Sequence, residues 1–173
     1  MLDKPFILFS ICSKAFSGAR MDLSELEGFV VEAKRATYVG TGAPAESSRP
    51  GAHDMCHARG RWSYRDSYFG GTDFLGQETV WHDGEPVWAM NYYGYIVRPH
   101  MFDARRAGET TKAALCAMYA EGRFLGGFEW DGPHGVYRDV SRGTVAQFHG
   151  RETIAIGGVV LYGLDYCGGL IRP

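Results

Sequence analysis

Asp66 has aromatic neighbours at the spacing of a strand. Along Trp62-Ser63-Tyr64-Arg65-Asp66-Ser67-Tyr68, residues Trp62, Tyr64, Asp66 and Tyr68 fall on one face and Ser63, Arg65 and Ser67 on the other. Burial among rings raises a carboxyl pKa unless a cation or hydrogen bonds compensate. Glu78 lies on the next predicted strand. With the intervening turn centred near Thr72, Glu78 falls opposite Asp66 on the same face, whereas a one-residue slip turns it away. Two facing carboxylates can share a proton, hold a metal or grip a cationic ligand. The competing reading is structural, each acid pairing with an arginine or capping a turn, since Asp139 and Glu152 repeat the pair.

The densest polar cluster, Arg49, His53, Asp54, Cys56 and His57, lies in the stretch Thr41 to Arg61, which is rich in Gly, Pro, Ser and Ala and reads as a long loop. Zinc-capable types occur there, but their spacing matches no standard signature, so no metal site is predicted. Arg49 and His53 are instead expected to fold over the sheet and face Asp66. A histidine beside a carboxylate titrates near neutrality, which suits acid–base work or ligand binding. Cys56 has a histidine neighbour but no third triad member, and the chain has no GxSxG elbow. Gly126-Gly127 and Gly168-Gly169 neither follow a strand nor open a helix, so no phosphate-binding cofactor is predicted. Trp88 and Tyr92 suit the core or the floor of a pocket, and Asn91 is taken with them as a candidate contact.

The elements that must position these residues are written twice. Gly76 to Pro99 and Gly150 to Pro173 align without a gap, with Gly76, Glu78, Thr79, Gly84, Tyr92, Gly94, Arg98 and Pro99 meeting identical residues. Upstream, Tyr64-Arg65-Asp66 recurs as Tyr137-Arg138-Asp139. A helix is predicted from Asp22, which has capping-box spacing to Glu25, with Leu23, Leu26, Phe29, Val30, Ala33 and Thr37 on one face and Lys34 and Arg35 suiting the dipole at its end. Three strands follow: Trp62 to Phe69, Phe74 to His82, and Pro86 to Val97, the last two joined by Asp83-Gly84. A second helix, roughly Thr110 to Glu121, precedes three more strands, in which Gly157-Gly158 makes the corresponding turn. The plan is an α+β domain built from a duplicated α-β-β-β unit. It spans residues 21–173, with repeats at about 22–99 and 107–173, behind a leader of residues 1–20.

Bulk properties narrow the function classes. The net charge of −2 comes with scattered Lys and Arg, which argues against direct binding of nucleic acid. No apolar run approaches the ~18 residues of a membrane span. Cys12, Cys56, Cys116 and Cys167 are isolated, as in a reduced cytoplasmic protein. Pro5 to Cys12 is a short apolar stretch with Asp3 ahead of it, closer to a leader than to a signal peptide.

The segments AKRATY (Ala33 to Tyr38), SSRPGAHD (Ser47 to Asp54), YRDSYFGG (Tyr64 to Gly71) and VWAMNYYG (Val87 to Gly94) resemble a bacterial family of uncharacterised domains. Its members occur alone or behind helix-turn-helix domains of the Xre type. The resemblance covers about Met21 to Pro173. It implies a cytoplasmic location and, by fusion, a sensing role, and it supplies no catalytic residues.

The expectation is a small-molecule-binding domain whose pocket lies beneath the Thr41–Arg61 loop. Arg49 and His53 would come from the loop, and Tyr64, Asp66, Glu78, Trp88 and Asn91 from the sheet. Two rivals stand beside it: a small enzyme using His53 as acid or base oriented by Asp66, and an interaction module forming a homodimer through a strand edge.

Overall fold

A computed structural model describes residues 21–40, 42 and 44–172; the leader lies outside the described residues. Asp22 caps α1 (Leu23–Ala36), accepting the amides of Ser24 and Glu25 at 2.9 and 3.4 Å. Leu26, Phe29, Val30 and Ala33 form its buried stripe, and Lys34 is buried with them. The helix ends at Thr37, whose hydroxyl donates to the Ala33 carbonyl at 2.8 Å.

Among the described residues, nine strands form one antiparallel sheet. They are β1 (Pro44–Ala45), β2 (His53–Arg59), β3 (Trp62–Gly70), β4 (Phe74–His82), β5 (Glu85–Ile96), β6 (Phe128–Gly132), β7 (Gly135–Thr144), β8 (Gln147–Ile156) and β9 (Val159–Leu170). Their order is β1-β2-β3-β4-β5-β9-β8-β7-β6. The two long hairpins meet at the centre, where β5 pairs with β9 and Tyr92 stands opposite Tyr166. The second helix, α2 (Ala104–Ala120), lies in the connection between β5 and β6 and is capped by Asp103. It begins well before the expected Thr110, because Asp103 closes the first turn.

Both helices cover one face of the sheet, α1 over β2 and β3 and α2 over β6, β7 and β8. The buried aromatic residues lie between the layers. Trp88 stacks on Phe148 at 5.7 Å, meets Phe124 edge-on at 6.0 Å, and donates its indole N–H to the Val145 carbonyl at 3.0 Å. On the opposite face Leu75, Gln77, Asn91 and Tyr93 are exposed. The protein is therefore α+β, a mostly antiparallel sheet under two helices.

The stretch Thr41 to Arg61 is not a plain loop. Its second half is β2, paired to β3 from His53↔Tyr68 to Arg59↔Trp62. The strand is inconspicuous in the sequence because its residues are largely polar and partly exposed, so no apolar alternation marks it. With β6 as its counterpart in the other half, each half carries more than the three strands expected. The two hairpin turns agree in detail. Asp83 and Gly84 have φ of 52° and 82°, and Gly157 and Gly158 of 56° and 81°. Asp tolerates that left-handed backbone better than most side chains, so Asp83 can hold the turn position that Gly157 holds in the other hairpin. The register shifts at Val80/Trp81 and again at Ile154/Ala155.

Candidate functional site

The β3–β4 register sets Asp66 opposite Glu78, with both side chains toward the helices. Asp66 is 4% exposed and accepts the Tyr92 hydroxyl on Oδ1 at 2.6 Å. Tyr92 reaches it across Gly76, where any Cβ would collide with the phenol ring. Glu78 is paired from above. Lys34 Nζ lies 2.6 Å from each of its oxygens, with the hydrogen bond directed to Oε1. Lys34 is the one buried cation among the described residues. Tyr64, also buried, lies against the same carboxylate.

The same arrangement stands in the other half. Asp139 opposes Glu152, Tyr166 donates to Asp139 Oδ1 at 2.5 Å, and Gly150 makes room for the Tyr166 ring. Its surroundings differ. Ser141 donates to Asp139 Oδ2 at 3.3 Å and in turn accepts the Gly126 amide at 2.9 Å. The Gly127 amide and the Arg123 guanidinium also favour the ionised Asp139. Phe124 packs beside them over Phe148. Glu152 Oε2 and the Tyr137 hydroxyl are buried neighbours whose geometry falls short of a hydrogen bond.

Desolvation dominates the electrostatics. It pushes the Asp66 carboxyl up to about 7, helped by the Glu78 charge and opposed by the Tyr92 hydrogen bond and Lys34. Burial and the charge of Asp139 push Glu152 up to about 8. Asp139 also rises, again through burial, although Tyr166, Ser141 and Arg123 resist the change. Asp66, Glu78 and Glu152 thus share one buried lysine, and protons supply part of the missing positive charge near neutral pH.

A cavity of about 260 Å³ opens between the sheet and the helices in the first half. Asp66, Glu78, Tyr92 and Glu152 line it from the sheet, and Lys34, Thr111, Leu115 and Tyr119 from the helices. Tyr68 and the turn Gly70-Gly71-Thr72 lie along its wall beside β3. Thr111 Oγ1 is buried beside Tyr162, with no well-formed hydrogen bond among the described residues. The corresponding space in the second half is only about 20 Å³.

Of the residues expected to form a pocket, Asp66 and Glu78 meet in this cavity, with Tyr64 packed beside them. Arg49 does not join them. It crosses to the other face, donates to Ser67 Oγ at 2.8 Å and lies over Phe69 at 4.7 Å. His53 shares the face of Asp66 but stacks on Tyr68 at 5.1 Å, at the exposed edge of the sheet. The pocket therefore lies under the helices, not under the Thr41–Arg61 segment. Trp88 is fully buried core, and Asn91 is exposed on the opposite face, bonded to Gln77. The strand period separates Asp54 and Cys56 from His53 and His57, and no metal-ligating group of three occurs among the described residues. Lys34, Thr111 and Glu152 were not among the expected site residues. Lys34 had a readable signal: it falls four residues after Val30, on the apolar stripe of α1, where a solvated lysine does not belong.

Fold and site together define an α+β protein with a buried, carboxylate-lined cavity. The family model described as "Domain of unknown function (DUF5680)" matches residues 66–171, and the chain belongs to this family. The matched segment contains both acid pairs and both central tyrosines. No curated protein and no solved structure matches the chain.

Proposed function

We propose that the protein is a cytoplasmic effector-binding domain, and that its ligand is a small molecule seated in the cavity beside Asp66. One observation carries this reading. Buried polar atoms converge on a single space with hydrogen-bonding capacity to spare, although Tyr137 lies beside Glu152 and Tyr162 beside Thr111. Glu152 Oε2 and Thr111 Oγ1 have no hydrogen bond among the described residues, and Asp66 uses only Oδ1 toward Tyr92. Leaving such groups unsatisfied costs roughly 1–3 kcal/mol each, so a partner from solution is the economical explanation. At about 260 Å³ the cavity sits just below the ~300–1,000 Å³ usual for ligand pockets. That size favours a metabolite over a large cofactor.

The two acid pairs, their tyrosines and glycines, and the matching bulges support an origin by duplication of one half-unit. After such an event one copy would keep the pocket while the other fills its own. The resemblance to domains fused behind Xre-type helix-turn-helix modules supports an effector-sensing role. A second reading, acid–base catalysis, has one observation in its favour: Asp66 titrates near neutrality inside a cleft. His53, at the sheet edge, takes no part in it.

The test is a thermal-shift screen of the full chain against a metabolite library, repeated with Asp66→Asn. The expected result is at least one stabilising compound whose effect disappears in the variant. Compounds that stabilise both proteins equally would bind elsewhere, and a screen without hits would remove the reading.

A further inference from the structure

We propose that the ligand is a small organic cation, a primary amine or a guanidinium, whose N–H groups bond Asp66 and Glu152. It would take in the first half of the sheet the place that Arg123 and the Gly126-Gly127 backbone take in the second. This inference rests on the ligand-binding reading and assigns its chemical class.

The two halves serve as each other's control. Asp139 is bonded by Tyr166, as Asp66 is by Tyr92, so the inner oxygen of each acid is satisfied alike. The outer side differs. Around Asp139 the chain itself supplies a hydroxyl from Ser141, the amide of Gly127 and the positive charge of Arg123. Arg123, which is also ion-paired with Glu121 at 2.8 Å, is held there by the carbonyls of Leu125 and Gly127 at 3.0 and 2.9 Å. In the first half Tyr68 stands where Ser141 stands. Its strand neighbour His53 turns to the Tyr68 ring, and Arg49 lies on the far face of the sheet. Among the described residues, Asp66 receives neither the extra donors nor the guanidinium, and the space they would fill is the cavity.

Charge and hydrogen-bonding capacity point the same way. The cavity presents the acids Asp66, Glu78 and Glu152, whereas Lys34, its single cation among the described residues, is already committed to Glu78. An anionic ligand would meet three acids and no free positive charge. A ligand bringing both N–H donors and a positive charge satisfies the acceptors and offsets their repulsion. The rings of Tyr68, Phe74 and Tyr92 line the same space and favour a cation over their faces.

Isothermal titration of the full chain would use isoamylamine and agmatine as cations. The alcohol and the carboxylate with the same branched carbon skeleton as isoamylamine serve as neutral and anionic counterparts. The amine should bind on the order of 10-fold or more tightly than the alcohol, with no binding of the carboxylate. Asp66→Asn should remove that preference, whereas Asp139→Asn, whose partners are internal, should change amine affinity by no more than about 2–3-fold. Glu152→Gln replaces Asp66→Asn as the test variant if the latter does not fold. Equal or tighter binding of the alcohol or carboxylate would overturn the cation assignment while leaving the binding reading intact. Absence of binding by all four probes, together with no hit in the wider metabolite screen, would remove both.

Discussion

The Tyr92 hydroxyl donates to Asp66 at 2.6 Å from a strand two positions away in the sheet, across the bare α-carbon of Gly76 on the strand between. The Tyr166–Asp139 bond passes Gly150 in the same way. The glycines thus hold a packing relationship as well as a strand position. A methyl group at either would occupy the volume of the phenol ring, and the hydrogen bond to the buried acid would be lost with it.

Gly76→Ala should therefore destabilise the protein by about 1–3 kcal/mol through overpacking, and it should also displace Tyr92 from Asp66. Tyr92→Phe, which keeps the ring and removes only the donor, should cost about 1 kcal/mol. Urea denaturation of both variants checks the order. If the phenylalanine variant proves the weaker of the two, the glycine does not act through ring clearance.

The stability of the ligand-free protein should fall as pH rises from 5 to 8. The Asp66 carboxyl ionises at about 7 in the folded protein, against an ordinary value of 3.8, and Glu152 at about 8 against 4.5. Between each pair of values the folded state keeps a proton that the unfolded chain releases, so raising the pH favours unfolding. The slope should flatten once pH passes the folded values. Asp66→Asn removes one of the two groups, so its stability relative to wild type should grow with pH, by roughly 2–4 kcal/mol between pH 4 and pH 8. Chemical denaturation at a series of pH values measures this. A variant whose pH profile parallels the wild type would show that Asp66 ionises normally.

Lys34→Met should leave the Glu78 carboxylate buried without its partner and cost roughly 3–5 kcal/mol. Glu78→Gln in the same chain should restore a large part of that loss, because it removes the charge that was stranded. The double-mutant cycle gives the coupling directly. Additive losses would mean that the two side chains do not interact in solution.

Much of this architecture is written locally. Asp22 announces the start of α1, the alternation from Trp62 to Tyr68 places Asp66 on an aromatic face, and Asp83-Gly84 marks a hairpin turn. Each depends on residues a few positions apart, where capping, strand period and turn chemistry act without help from the rest of the chain. The gapless alignment of residues 76–99 with 150–173 also matches Glu78 with Glu152 and Tyr92 with Tyr166.

What the sequence alone did not settle are relationships between distant segments. Whether Glu78 faces Asp66 depends on a register in which one residue reverses the side, and the β3–β4 pairing settles it. That Lys34 meets Glu78 depends on how α1 lies on the sheet, and its position within α1 only hinted at burial. His53 and Arg49, neighbours in the chain, end on opposite faces because β2 joins the sheet edge. The counterpart space in the other half is small where Phe124 packs over Phe148, a contact between segments far apart in the chain. Local preference acts over a turn of helix or a strand's alternation. Which carboxylate gains a lysine and which is left facing empty space follows from competition among distant groups for the same buried volume, and that is resolved only when the layers close.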